Sequence, residues 1–163
     1  MKIFRIFETD IQDNIRREYL ASREFKEDLV FQNNRKGKLL AIVVITLEAI
    51  AASIDILSYF LKVNDNFPYG SYLAMYLFMI AANLIYLFLI RCYEKSEIHP
   101  KIMYAITILF ITVIMVWGGI ISLMDQQLYG QVIVFMVNMM ICSITFDFSW
   151  KLMSIPYLIA TTL

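Results

Sequence analysis

The chain has 163 residues, 60% of them hydrophobic and 17% charged, with fourteen Lys/Arg balanced by fourteen Asp/Glu and a mean hydropathy of +0.66. A water-soluble domain of this size carries roughly a quarter of its residues as charges, so a soluble globule is excluded. The zero net charge averages two unlike regions, because residues 1–38 hold nine basic and seven acidic residues and the rest of the chain only five and seven.

Taken in chain order, the first element is polar. Thr9-Asp10-Ile11-Gln12 matches a capping box, in which Thr9 and Gln12 satisfy each other's backbone amides. Phe4, Phe7, Ile11, Ile15, Tyr19 and Leu29 keep to one helical stripe, with Arg16, Arg17, Glu18, Arg23, Glu24, Lys26, Glu27 and Asp28 opposite. The pattern predicts an amphipathic helix that ends near Asn33-Asn34. Two uses fit it. One is a helix lying on the inner leaflet with Arg35, Lys36 and Lys38 at anionic headgroups. The other is a helix docked on a partner subunit or a cytoplasmic output domain.

Residues 39–163 read as a transmembrane domain. A hydrocarbon core about 30 Å thick needs about 20 apolar residues as a helix. Segments 39–61, 72–90, 102–124 and 128–146 meet that need. Their connections carry breakers and polar residues: Asn64 to Gly70, Glu94 to Pro100, and Asp125-Gln126-Gln127. Basic residues number nine in the N-terminal segment, then one, three, none and one in successive connections. Only a cytoplasmic N-terminus makes these counts alternate as the positive-inside rule requires. A fifth apolar segment, 152–163, covers about 18 Å as a helix, short of a crossing. The expectation is therefore a span interrupted at Leu163, the front part of a longer protein. The fold class is all-α: a polytopic transmembrane helical bundle of four full spans plus a partial fifth, in a cell membrane.

Ionisable groups within a span are costly and face the bundle interior. Glu48 and Asp55 lie seven residues apart and share a face of the first span, near Ala41, Ala52 and Ser58. Counted at 1.5 Å per residue, Glu48, Asn83, Thr112 and Asn138 lie roughly 11–15 Å above the inner ends of their helices. Four helices thus place a polar group near one depth. Asp55, Trp117 and Ser122 form a higher layer. The plain reading is hydrogen-bonding glue between helices; the functional one is a pocket open to the outside, lined by Asp55, Trp117, Asp125 and Gln126, that takes a small cationic or polar ligand. Gly118-Gly119 lets another backbone approach the third span.

The two cysteines, Cys92 and Cys142, are too few for a disulfide framework, and the lone His99 builds no metal site. No phosphate-binding loop, HExxH or Ser/His/Asp set is present. Neither a catalytic residue nor a cofactor, metal or nucleic-acid partner is expected.

One longer pattern stands out: Asn34-Arg35-Lys36-Gly37-Lys38-Leu39-Leu40, then a span carrying Glu48, then Asp125-Gln126 before Tyr129-Gly130. It resembles the N-terminal membrane modules of bacterial signalling proteins, notably diguanylate cyclases of Gram-positive bacteria. The resemblance implies a sensory and anchoring module, a homodimer, and a cytoplasmic GGDEF domain making cyclic di-GMP outside these residues. No GGDEF motif occurs here, so no catalytic residue carries over. The alternative is a complete small membrane protein, acting as a transporter or channel subunit or a membrane effector.

Overall fold

The computed structural model describes residues 23–64, 67–95, 97–129 and 133–162. The capping box at Thr9 and the stripe from Phe4 to Tyr19 lie outside them. Every element among the described residues is a helix: α1 Arg23–Phe60, α2 Tyr69–Glu94, α3 Pro100–Tyr129, α4 Ile133–Thr145 and α5 Trp150–Thr161.

Helix α1 runs unbroken for 38 residues. This corrects the expected end at Asn33-Asn34. Both asparagines are buried with side-chain bonds to other elements, so they pack the helix rather than stop it. Gly37 also serves packing. A Cβ there would lie 2.5 Å from Tyr86 Oη and 3.2 Å from Phe146 Cε1. At its far end α1 closes with Lys62 at φ 52. The Val63 amide donates to the Ser58 carbonyl and the Lys62 amide to that of Tyr59, a Schellman pattern that satisfies the last carbonyls.

Helix α2 follows Pro68, whose carbonyl accepts from Ser71 and Tyr72. Helix α3 opens on Pro100, where the missing N–H removes no intrahelical bond. It then runs through Asp125-Gln126-Gln127, which are helical rather than a loop. None of the three is a breaker, and Gly130 is the first residue after them that is. Helix α4 is shorter than the expected fourth span, 13 residues. The Phe135 amide donates to Ser122 Oγ at 2.8 Å, which ties the first described turn of α4 to α3. Helix α5 has 12 residues, with Pro156 inside it. Tyr157 ties it to α4 by donating to the Met139 carbonyl at 2.9 Å and meeting the Ser143 hydroxyl.

Helix α3 is the centre of the molecule. Half of its apolar stretch is buried (50%), against 17% and 22% for α1 and α2, and it touches all four other helices. Met103, Phe110, Ile111, Ile114, Met115 and Ile121 fill its inner faces and meet Met79, Tyr86 and Ile90 of α2. Gly118 and Gly119 admit different neighbours: the Asn138 amide of α4 lies directly against Gly118, and the Ala160 carbonyl of α5 lies 3.7 Å from a Cβ position on Gly119.

The outside is apolar. Leu39, Ile42, Val43, Leu47, Ile50, Ile54 and Leu57 of α1 are all exposed, as are Leu84, Ile85 and Phe88 of α2. Water tolerates no apolar belt of that extent; hydrocarbon does. Helices α1, α2 and α3 are each long and apolar enough to cross a membrane. The end bearing the α1–α2 connection is called the upper end below, and the end bearing the α2–α3 and α4–α5 connections the lower end.

Alanine at Gly37 tests the close approach. It gains about 1 kcal/mol of helix propensity but overfills a contact, at about 1–3 kcal/mol. Tyr86 cannot yield, since it is buried and stacked on Phe110 with centroids 3.7 Å apart. Gly37→Ala is expected to lower the thermal midpoint in detergent micelles; a raised midpoint would show that the ring gives way.

Candidate functional site

The buried stripe of α1 positions everything that follows. Val30, Asn34, Gly37, Ala41, Glu48 and Ala52 are buried, and Asp55 half-buried, at spacings of three, four or seven. That spacing keeps one face toward α2 and α3 along the whole helix. Three levels of polar contact lie along it.

At the upper level, α2 presents Tyr72, Met75 and Tyr76 on one face. The Tyr72 hydroxyl donates to Asp125 Oδ1 of α3 at 2.7 Å. Tyr76 of the same face stands within electrostatic reach of Asp55 of α1. The Trp117 indole N–H donates to the Met75 carbonyl at 3.2 Å. Phe67, from the α1–α2 connection, stacks on Tyr72 with centroids 4.9 Å apart. One carboxylate, Asp125, is thus held by a tyrosine of α2, and a second, Asp55, faces the same helix near Tyr76. One oxygen of Asp55, Oδ2, is buried without a hydrogen-bond partner. Three of the four expected pocket residues lie in this layer, but Trp117 and Asp125 spend polar atoms on bonds within the bundle. Gln126 is exposed and faces away. A cavity of about 510 Å³ opens beside this layer instead, between Tyr59, Lys62, Phe67 and Tyr69.

The middle level holds Glu48, Asn83 and Asn138. Glu48 is only 7% exposed and its Oε2 has no hydrogen-bond partner. Asn83 is fully buried; its Nδ2 donates to the Met79 carbonyl of its own helix at 2.8 Å, and its Oδ1 has no partner. The Asn138 amide packs on Gly118 with Nδ2 unpartnered. Thr112 likewise bonds only its own helix, at the Ile108 carbonyl. Among the described residues no hydrogen bond joins these four to one another. They share the bundle interior without forming the network that their common depth suggests.

The lower level holds a clasp that the sequence reading missed. Asn33 Nδ2 donates to the Asp147 carbonyl at 3.2 Å, and the Asp147 amide donates to Asn33 Oδ1 at 2.9 Å. Lys36 pairs with the Asp147 carboxylate, and Lys38 with Glu94 at 3.1 Å. Thr107 accepts from Tyr86 and shares its one hydroxyl proton between the Met103 carbonyl at 3.0 Å and Asn34 Oδ1 at 3.4 Å. One face of α1 thus grips the α4–α5 turn, α2 and α3 together. The signal was present: the apolar-small stripe continues backward through Ala41, Gly37 and Asn34 to Val30 without a break in period.

Asn33 is 1% exposed, so leucine there removes both part-buried bonds to the Asp147 backbone without replacing them. The expected loss is about 2 kcal/mol, at roughly 1 kcal/mol for each hydrogen bond. Denaturant unfolding of Asn33→Leu beside Asn33→Asp, which keeps the acceptor, measures it; equal stability of Leu and wild type would remove the clasp from the account.

No family model, curated protein or solved structure matches this chain.

Proposed function

We propose that this chain is the membrane-embedded sensory and anchoring module of a bacterial signalling protein, with diguanylate cyclase output as the resemblance implies. In this reading the N-terminus is cytoplasmic and the upper end faces outward. Helices α1, α2 and α3 cross the cell membrane, α4 makes the fourth crossing over Ile133–Thr145, and α5 is the partial fifth. The partners are the lipid bilayer, a second copy of the chain and a small cationic or polar ligand arriving from outside at Asp55 and Asp125.

A single observation carries the proposal: α1 is one uninterrupted helix from Arg23 to Phe60. The same rigid rod holds Asp55 in the upper layer and Asn33 and Lys36 in the lower clasp. A ligand that redraws the contacts of Asp55 moves α1, and the clasp on Asp147 moves with it. That is the two-site linkage a sensor needs, carried by a rigid element in contact with both sites. The exposed Lys36–Asp147 and Lys38–Glu94 pairs favour a watery lower end, in line with the basic residues there.

Two measurements test this. With Cys92 and Cys142 replaced, a membrane-impermeant thiol reagent added to intact cells should label cysteines at Asn64 and Gln127 and spare those at Glu97 and Ser149; the reverse pattern overturns the orientation. For coupling, spin labels at Gln32 and Ser149 report the clasp. Asp55→Asn should shift or broaden their distance distribution, and an identical distribution would leave the upper layer without a route to the lower end.

A further inference from the structure

We infer that Glu48 is a proton-exchange site within the membrane, reached from the upper end through Asp55 and Tyr76. The starting point is a mismatch between burial and partnering. Glu48 is more than nine-tenths buried, yet Oε2 meets no donor. An ionised carboxylate in that position lacks both water and a counter-charge, and such a group does not persist.

Among the described residues no cationic side chain is paired with it. The basic residues nearest along α1, Lys36 and Lys38, are paired at the lower end with Asp147 and Glu94. Helix α2 faces the layer with Tyr72 and Tyr76, neither of them cationic. Helix α3 contributes Asp125, held by Tyr72, and α4 contributes the buried thiol Cys142. Asp55, on the same face of α1, adds a second acid. No group of His, Cys, Asp and Glu able to hold a metal ion occurs among the described residues. A proton is the remaining neutraliser. Bound at Oε2, it turns an unpartnered acceptor into a hydroxyl donor, and the interior supplies an acceptor that lacks a donor, Asn83 Oδ1.

The route is set by Tyr76. It lies on the face of α2 that α1 packs against and within electrostatic reach of Asp55, Glu48 and Tyr72. Asp55 is half-buried and keeps Oδ2 without a hydrogen-bond partner. A proton from outside water adds to Asp55; Asp55 passes a proton to the Tyr76 oxygen as the hydroxyl proton of Tyr76 moves on toward Glu48. No electron is exchanged. Glu48 gains the one proton that the water loses, and Asp55 and Tyr76 return to their starting states. The inference goes beyond the sensory reading and stands whether or not an output domain is attached.

The test uses the full chain in phosphatidylcholine–phosphatidylglycerol vesicles, with infrared difference spectra recorded as the external pH is stepped. A protonated-carboxyl carbonyl band is expected in the wild type. It should vanish in Glu48→Gln, persist in Asp55→Asn, and exchange its deuteron more slowly in Tyr76→Phe. A band that survives Glu48→Gln, or a wild type without one, overturns the site. Unchanged exchange in Tyr76→Phe overturns the route. Should Glu48→Gln fail to insert, carbon NMR of wild type labelled at its glutamate carboxyls decides: one carboxylic acid among ionised carboxylates at neutral pH supports the proposal, and uniform ionisation refutes it. None of these readouts involves a ligand or a cyclase, so a negative result here leaves the signalling proposal to its own experiments.

Discussion

An apolar exterior forces every polar side chain of the bundle to find its partner inside, and the rest of the structure follows from that demand. Hydrocarbon offers neither donor nor acceptor. Thr107 therefore both accepts and donates, Ser122 takes an amide from the start of α4, and Trp117 spends its N–H on a backbone carbonyl. A tyrosine of α2, Tyr72, binds the Asp125 carboxylate of α3. Against that background Asn34 Nδ2, Glu48 Oε2, Asp55 Oδ2, Asn83 Oδ1 and Asn138 Nδ2 are exceptions, and the three oxygens among them lie on the paired helices α1 and α2.

Helix packing obeys the same constraint. Lipid tails are as apolar as leucine, so burial gives little drive for helices to associate; close backbone approach gives more. Glycines mark where it occurs. Gly37 brings α1 onto the Tyr86 ring, Gly118 receives the Asn138 amide of α4, and Gly119 receives the end of α5. The two adjacent glycines of α3 are about 100° apart around the helix, which lets one helix seat two neighbours on different sides. That seating accounts for α3, and not α1, being central.

Hydropathy and length made three membrane-length helices legible, and the seven-residue separation of Glu48 and Asp55 correctly placed both acids on the packed face of α1. Boundaries were less legible where polar residues lay inside helices. Asn33-Asn34 read as a stop because free asparagine disfavours helix, but tertiary bonds to Asp147 and Thr107 override that preference. Asp125-Gln126-Gln127 read as a loop because it is polar, although no residue in it breaks a helix. The shared depth of Glu48, Asn83, Thr112 and Asn138 was readable from residue counts. Their failure to bond one another was not, because it depends on side-chain direction. Asn83 and Thr112 turn back to their own carbonyls, a choice that one-dimensional spacing does not encode.

The stripe on α1 also limits how that helix can move. Asn34, Gly37, Ala41, Glu48, Ala52 and Asp55 lie on one side, and a mostly apolar face that includes Leu39, Leu47, Ile50, Ile54 and Leu57 lies on the other. Rotation by a quarter turn would carry two acids and an asparagine into hydrocarbon while breaking both asparagine contacts at the lower end. Each acid alone costs about 2.5–3.5 kcal/mol at mid-membrane on insertion scales, so rotation is closed. Tilt or a slide along the axis keeps the acids inside and exchanges one set of interior partners for another. Axial motion, though, acts directly on the Asn33–Asp147 bonds, which run from α1 to a turn held by other helices. The helix that carries the acids is therefore constrained to express any change at them as a displacement at the clasp.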